Sequence, residues 1–193
     1  MTYIELRFDE LVKLIPEFKS ASSQSIEKVS TLLVEAFSNG SKVLICGNGG
    51  SAADAQHFAA EFVNAFARDI DRKALPAISL VADTSVLTSI SNDFTFDNIF
   101  ARQVEALGKP GDVLIIFTTS GTSKNCLNAA LAAKKLDIST VAFTRANAEI
   151  SRSVDLSITV PSTNTQHIQE CHILAYHVIT EIVENRLFNG DTP

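Results

Sequence analysis

The chain has no run of about 18 consecutive apolar residues, the length a membrane-crossing helix needs. Its opening segment, Met1 to Glu10, lacks the apolar stretch of a secretory signal. A cytoplasmic protein that neither enters nor coats a membrane is the expectation. Basic residues are the scarcer charge, 16 Lys and Arg against 22 Asp and Glu, so the net charge is −6. That balance argues against broad nucleic-acid or membrane-surface binding, which needs a basic face. The cysteines, Cys46, Cys126 and Cys171, are odd in number and lack metal-type spacing, so neither a disulfide framework nor a thiolate zinc site is expected. No internal repeat and no low-complexity linker divides the chain. Its 193 residues, 46% hydrophobic and 20% charged, suit one domain, residues 1–193, with a full core.

What the chain does have is alternation. Residues from about 5 to 39 read as two helices, marked by Leu11, Leu14, Ile15 and Phe18 and then by Ile26, Val29, Leu32, Leu33 and Phe37. Asn39-Gly40 is the stop. Apolar runs at about 42–46, 76–81, 113–117, 139–143 and 155–160 read as strands buried on both faces. Helical patterns lie between most of them, and a last helix covers roughly 166–187. This order predicts an α/β fold, a three-layer α/β/α sandwich around a mostly parallel five-stranded sheet, preceded by N-terminal helices. Ligands of such sheets bind at the carboxyl ends of the strands.

Two turns fall at such ends. Gly47-Asn48-Gly49-Gly50-Ser51 follows the first strand, and Thr118-Thr119-Ser120-Gly121-Thr122-Ser123 follows the third. Each sets backbone N–H groups and hydroxyls at a helix N-terminus, where the macrodipole favours an anion. In the first turn, Ser51 reads as the N-cap, with Asp54 completing a near capping box. The second offers five hydroxyls in six residues, and an N-cap uses only one. A phosphoryl group explains the surplus, and no Walker lysine pattern points to a nucleoside triphosphate. With the net charge negative, an anionic substrate has to be attracted locally.

Beyond the first turn lie His57 and Glu61. At ~100° per residue the two share a helix face away from Phe58, Phe62 and Phe66, ~6 Å apart along the axis. A solvated His–Glu pair is the bland reading; a proton-transfer carboxylate beside a metal-capable imidazole is the sharper one. Asn92 and Asp93 read as a helix-ending turn or as contacts to sugar hydroxyls. On the last helix Ile168, Cys171, Ala175, Val178, Ile179 and Ile182 form the apolar stripe. Gln169 and His177 stand about 80° apart and about 12 Å along the axis, so they converge on one atom only with difficulty. If both serve the same kind of site, one reaches into its own subunit and the other into a neighbour. His172 and His167 are weaker candidates.

In sequence order, these motifs are Gly-Asn-Gly-Gly-Ser, His57-Phe58-Ala59-Ala60-Glu61, Asn92-Asp93, Thr119-Ser120-Gly121-x-Ser123 and Ile168-Gln169-Glu170-x-His172 with His177 beyond. Together they resemble the phosphoheptose isomerase branch of the sugar-isomerase (SIS) superfamily. The resemblance covers nearly the whole chain, including the leading helical segment 1–39, to which it assigns oligomer packing. It implies conversion of sedoheptulose 7-phosphate to D-glycero-D-manno-heptose 7-phosphate for the bacterial envelope, in a homotetramer with active sites between subunits. It further implies substrate contacts from Asn48, Gly49, Gly50, Ser51, Glu61, Asn92, Asp93, Thr118, Thr119, Ser120, Ser123 and Gln169. The zinc ligands of metal-containing members match His57, Glu61, Gln169 and His177, one Zn2+ per subunit, and the acid–base pair matches Glu61 and His177.

Two departures stand out. Thr144-Arg145-Ala146-Asn147-Ala148 replaces a Gly-rich turn after the fourth strand, and Gln166 stands where some members have an acidic residue. Three rivals share parts of the pattern: a non-catalytic SIS protein that binds the bacterial replication initiator, a sugar-phosphate sensor, and an isomerase of another ketose phosphate. Glu61 together with Gln169 and His177 favours an enzyme over the first of these rivals, and the sensor needs neither Glu61 nor His177.

Overall fold

The computed structural model describes residues 1–67 and 72–189. Five strands, β1 (Val43–Gly47), β2 (Ala77–Ser79), β3 (Val113–Thr118), β4 (Ser139–Arg145) and β5 (Leu156–Val160), lie in the order β2-β1-β3-β4-β5. All four pairings are parallel, with Val43 opposite Val113 and Val113 opposite Ser139. Six α-helices accompany them: α1 (Tyr3–Ser38), α2 (Gly50–Val63), α3 (Thr84–Asp93), α4 (Ala101–Leu107), α5 (Lys124–Lys135) and α6 (Thr165–Glu184).

The two sides of the sheet carry separate cores. Val43, Ile45, Ile115, Phe117 and Phe143 pack with α1, α2 and α6, while Leu44, Cys46, Leu114, Ile116 and Ala142 pack with α4 and α5. Alternate residues of one strand thus enter different layers, and β1 and β3 are buried along their whole length. The three-layer sandwich and its parallel five-stranded sheet agree with the sequence reading.

The leading segment differs from it. In place of two helices there is one, running through Pro16. The proline removes one backbone donor, which ordinarily breaks a helix. Here the carbonyl left without a partner belongs to Val12, which is 68% exposed, so water can serve it. The serine-rich stretch that looks like a break is also accommodated within the helix. Ser23 donates back to the Lys19 carbonyl and Ser30 to that of Ile26, while Ser22 turns to β5, donating to the Thr159 carbonyl at 2.8 Å and accepting from the Thr159 N–H at 3.2 Å. Asn39 ends the helix, and Gly40 follows at φ +77, as the sequence predicts.

Candidate active site

From β1 the chain crosses to β2 on one side and then to β3 on the other, so the strand order reverses between β1 and β3. That reversal opens a crevice at the carboxyl ends of the two strands. Both candidate turns border it. Asn48 and Asn125 span it with a reciprocal pair of amide hydrogen bonds, Nδ2 of each donating to Oδ1 of the other at 2.9 and 2.8 Å. Asn125, 2% exposed, has no signal in the sequence beyond its position in the first turn of α5.

The first turn starts its helix earlier than the sequence suggests. Gly49, at φ +58, is the N-cap of α2 without a side-chain cap, so Ser51 lies inside the first helical turn and is buried. Asp54 is no capping partner; its Oδ2 accepts from Nε2 of Gln169 at 3.0 Å, and burial pushes its carboxyl up to about 6. The absence of a side chain at Gly50 is what lets α6 approach. A Cβ there would stand 2.6 Å from the Gln169 amide.

The second turn spends some of its hydroxyls on itself. Thr118 Oγ1 accepts from the Gly121 N–H at 3.1 Å, and Ser120 Oγ accepts from the Thr122 N–H at 3.3 Å. Ser123 occupies the N-cap of α5, yet its side chain makes no capping bond. Thr119 is half-buried beside them. Nε of Arg145, at the end of β4, donates to the Ser120 carbonyl at 3.2 Å and brings a guanidinium to the turn. Asn92 and Asp93 are the exposed last residues of α3, joined by an amide-to-carboxylate bond of 2.8 Å. Among the described residues no hydrogen bond ties them to either turn.

Further along α2, Nε2 of His57 is 2.8 Å from Oε1 of Glu61. Because α6 runs alongside α2 in the same direction, its second half delivers His177 to this pair. Ligand atoms of His57, Glu61 and His177 all lie within 4.8 Å of one another. Burial, with His57 adding to it and Glu61 opposing, holds the His177 imidazole below its ordinary value and so neutral near pH 7. Gln169 stays at the other end, against Asp54, so one chain assembles three of the four expected ligands.

Three other residues shape this corner without a sequence signal. The Tyr176 hydroxyl is 2.7 Å from Nδ1 of His57. Arg72 and Glu184 form a fully buried ion pair. Arg72 donates to the Glu61 and Phe62 carbonyls that end α2, and Glu184 accepts from the Phe66 and Ala67 N–H groups. The remaining histidines do other work. His172 is buried between Phe117 and Phe143, and burial, opposed only by the Thr144 backbone, pushes it down to about 3. His167 bonds to Glu170 at 2.7 Å and Glu10 at 3.1 Å, tying α6 to α1. Val178 and Ile182, expected in the core stripe, are only half-buried; Tyr176 and Val183 fill that role.

The SIS domain profile matches residues 8–145. A phosphoheptose isomerase of Roseiflexus sp. (strain RS-1) is 53% identical over 164 residues, 84% of this chain and 82% of that one. The solved phosphoheptose isomerase of Francisella tularensis superposes with a TM-score of 0.91 at 35% identity, covering 96% of this chain and 100% of its own. The Neisseria gonorrhoeae phosphoheptose isomerase gives a TM-score of 0.89 at 38% identity, over 94% and 97%.

Proposed function

The chain belongs to the phosphoheptose isomerases of the SIS domain family, and on that premise we propose that Glu61 and His177 move the protons of its reaction. It is a sugar-phosphate isomerase, converting sedoheptulose 7-phosphate to D-glycero-D-manno-heptose 7-phosphate in heptose biosynthesis. The convergence of His57, Glu61 and His177 within 4.8 Å carries the residue assignment.

An aldose–ketose exchange takes a proton from the carbon beside the carbonyl and returns it to the neighbouring carbon, while the two oxygens exchange a proton. Glu61 takes and returns the carbon-bound proton through a cis-enediol. His177, neutral near pH 7, serves the oxygens. Thr118, Thr119, Ser120 and Ser123 with the N-terminus of α5 hold the phosphoryl group, which fixes the reacting carbons in place. Asn48, Gly49, Gly50, Ser51, Asn92, Asp93 and Gln169 contact the rest of the sugar.

From Gly50 to Glu61 the helix rises about 16 Å. That span supports an active site shared between subunits, the crevice of one facing the Glu61 and His177 of another, in a homotetramer. The segment 1–39 supplies packing surface for it. Tyr3, Ile4, Phe8 and Val12 are exposed. A nearly apolar groove of about 400 Å³, lined by Ile15, Phe18, Leu174, Val178 and Ile182 among others, runs between α1 and α6.

Two imidazoles and a carboxylate form the three-ligand pattern of a catalytic zinc site with an open position, so the donor set fits the metal. His57, Glu61 and His177 would hold one Zn2+ per subunit, and any share taken by Gln169 falls to a neighbouring copy. When bound, the ion polarises the sugar carbonyl. We place the activity in the cytoplasm, supplying lipopolysaccharide or another surface polysaccharide. Among the described residues no helix is long and apolar enough to cross a membrane.

The direct test follows aldose formation from sedoheptulose 7-phosphate. Glu61→Gln and His177→Gln should each lower kcat about 100-fold or more. Full activity in both would remove them from the chemistry.

A further inference from the structure

We propose that Tyr176 is a positioning residue of this site: its hydroxyl fixes the plane of the His57 ring and partners Nδ1 in either tautomer. The inference rests on the reading of His57 as part of the reactive cluster. Tyr176 immediately precedes His177 on α6 and is fully buried. Its ring stacks on Phe58 at 5.0 Å and 21° and meets Phe117 edge-on at 5.9 Å, so packing leaves it one place to sit. The His57 side chain, by contrast, is 47% exposed. An imidazole on α2 with nearly half its surface open is thus held by a packed phenol on α6, at 2.7 Å on Nδ1, while Glu61 holds it at 2.8 Å on Nε2.

The proton count shows why a hydroxyl is needed there. An ionised carboxylate only accepts, so neutral His57 makes its contact to Glu61 as the Nε2–H form. Its Nδ1 lone pair then accepts from the Tyr176 O–H. A divalent cation on the face toward Glu61 needs the Nε2 lone pair instead. The ring proton then sits on Nδ1, and the phenol oxygen accepts it. A hydroxyl serves both states without moving; a phenyl ring serves neither. A buried hydroxyl needs some partner in any protein. Here the partner belongs to the cluster itself and comes from a different helix.

Tyr176→Phe keeps the ring and its packing, and three measurements on it decide the matter. Ring relaxation and nitrogen-15 chemical shifts in the metal-free protein should show His57 held with Nδ1 hydrogen-bonded in the unaltered chain, and reorienting with Nδ1 free in the variant. Zinc titration against a fluorescent chelator should show the dissociation constant rising about 10-fold or more. In a His57→Gln background, adding Tyr176→Phe should change zinc affinity no further. Unchanged ring motion and unchanged affinity would overturn the proposal, as would an equal loss of affinity with His57 already removed. If the unaltered protein binds no zinc, the metal reading fails alone, and the relaxation measurement still decides Tyr176.

Discussion

Arg72 and Glu184 meet in the interior, 0% and 1% exposed, and join the end of α2 to the end of α6. These are the helices that bring Glu61 and His177 together. The guanidinium takes the last α2 carbonyls, including that of Glu61, and the carboxylate takes the Phe66 and Ala67 N–H groups. The Phe66 ring in turn lies 5.5 Å from the His177 ring. Removing one partner leaves a buried charge uncompensated. Arg72→Met or Glu184→Gln should therefore cost about 3–5 kcal/mol in chemical denaturation. Removing both together, as Arg72→Met with Glu184→Gln, should cost less than the sum of the two single changes.

Gly121 stands at φ +70, and a Cβ there would lie 2.4 Å from that of Ala148. Neither the backbone nor the neighbour tolerates a side chain. Gly121→Ala should distort the hydroxyl turn and destabilise the fold by about 1 kcal/mol or more. Steady-state kinetics should show KM for the sugar phosphate rising more than kcat falls, because the role proposed for the turn is binding and not proton transfer. An unchanged KM would remove the phosphoryl role.

The clasp between α1 and α6 should depend on pH in both directions. Hydrogen bonds to Glu170 and Glu10 raise His167 above its ordinary 6.5, so its stabilisation is complete below that value and lost as pH climbs through the raised one. Glu10 is lowered from 4.5, chiefly by His167, so its share is present above 4.5 and lost as pH falls through the lowered value. The groups facing His167 are Glu10, itself paired with Arg7, and Glu170. Amide exchange of the first turns of α1, corrected for intrinsic rates, should be slowest between 4.5 and 6.5. His167→Gln should flatten the alkaline side.

His172 should weaken the whole fold in acid. Folded, it resists protonation down to about 3, whereas the unfolded chain takes up its proton near 6.5. Across that window the residue subtracts about 1.4 kcal/mol of stability per pH unit as pH falls. His172→Leu should make the acid limb of a stability–pH curve shallower by that slope.

The layers, the succession of strands and helices along the chain and both turns were legible in the sequence because their signals are local: strand-length apolar runs, glycines, and hydroxyls at a strand end. The same holds for His57 and Glu61, four residues apart on one helix. What stayed hidden depends on how α2 lies against α6. Tyr176 reaches His57 from 119 positions away, and Arg72 reaches Glu184 across 112; His177, named by the family resemblance, arrives by the same packing. No spacing within a helix announces such a meeting. The helix ends were misread for a related reason. Ser51 is a good cap in isolation, but Gly49 can take a positive φ and starts α2 first. The polar stretch between Phe18 and Ile26 reads as a gap between two helices, but Ser22 and Ser23 bond their hydroxyls to β5 and to the preceding turn, and the helix continues.

Ser22 touches β5, the outermost strand on its side, with both a donated and an accepted bond to Thr159. An outer strand with free backbone groups is a template on which another chain can add a strand and seed aggregates. One hydroxyl in the middle of α1 occupies those groups and seals that flank with a helix. Strand-by-strand growth from that border would first have to displace α1 and break the Thr159 pair.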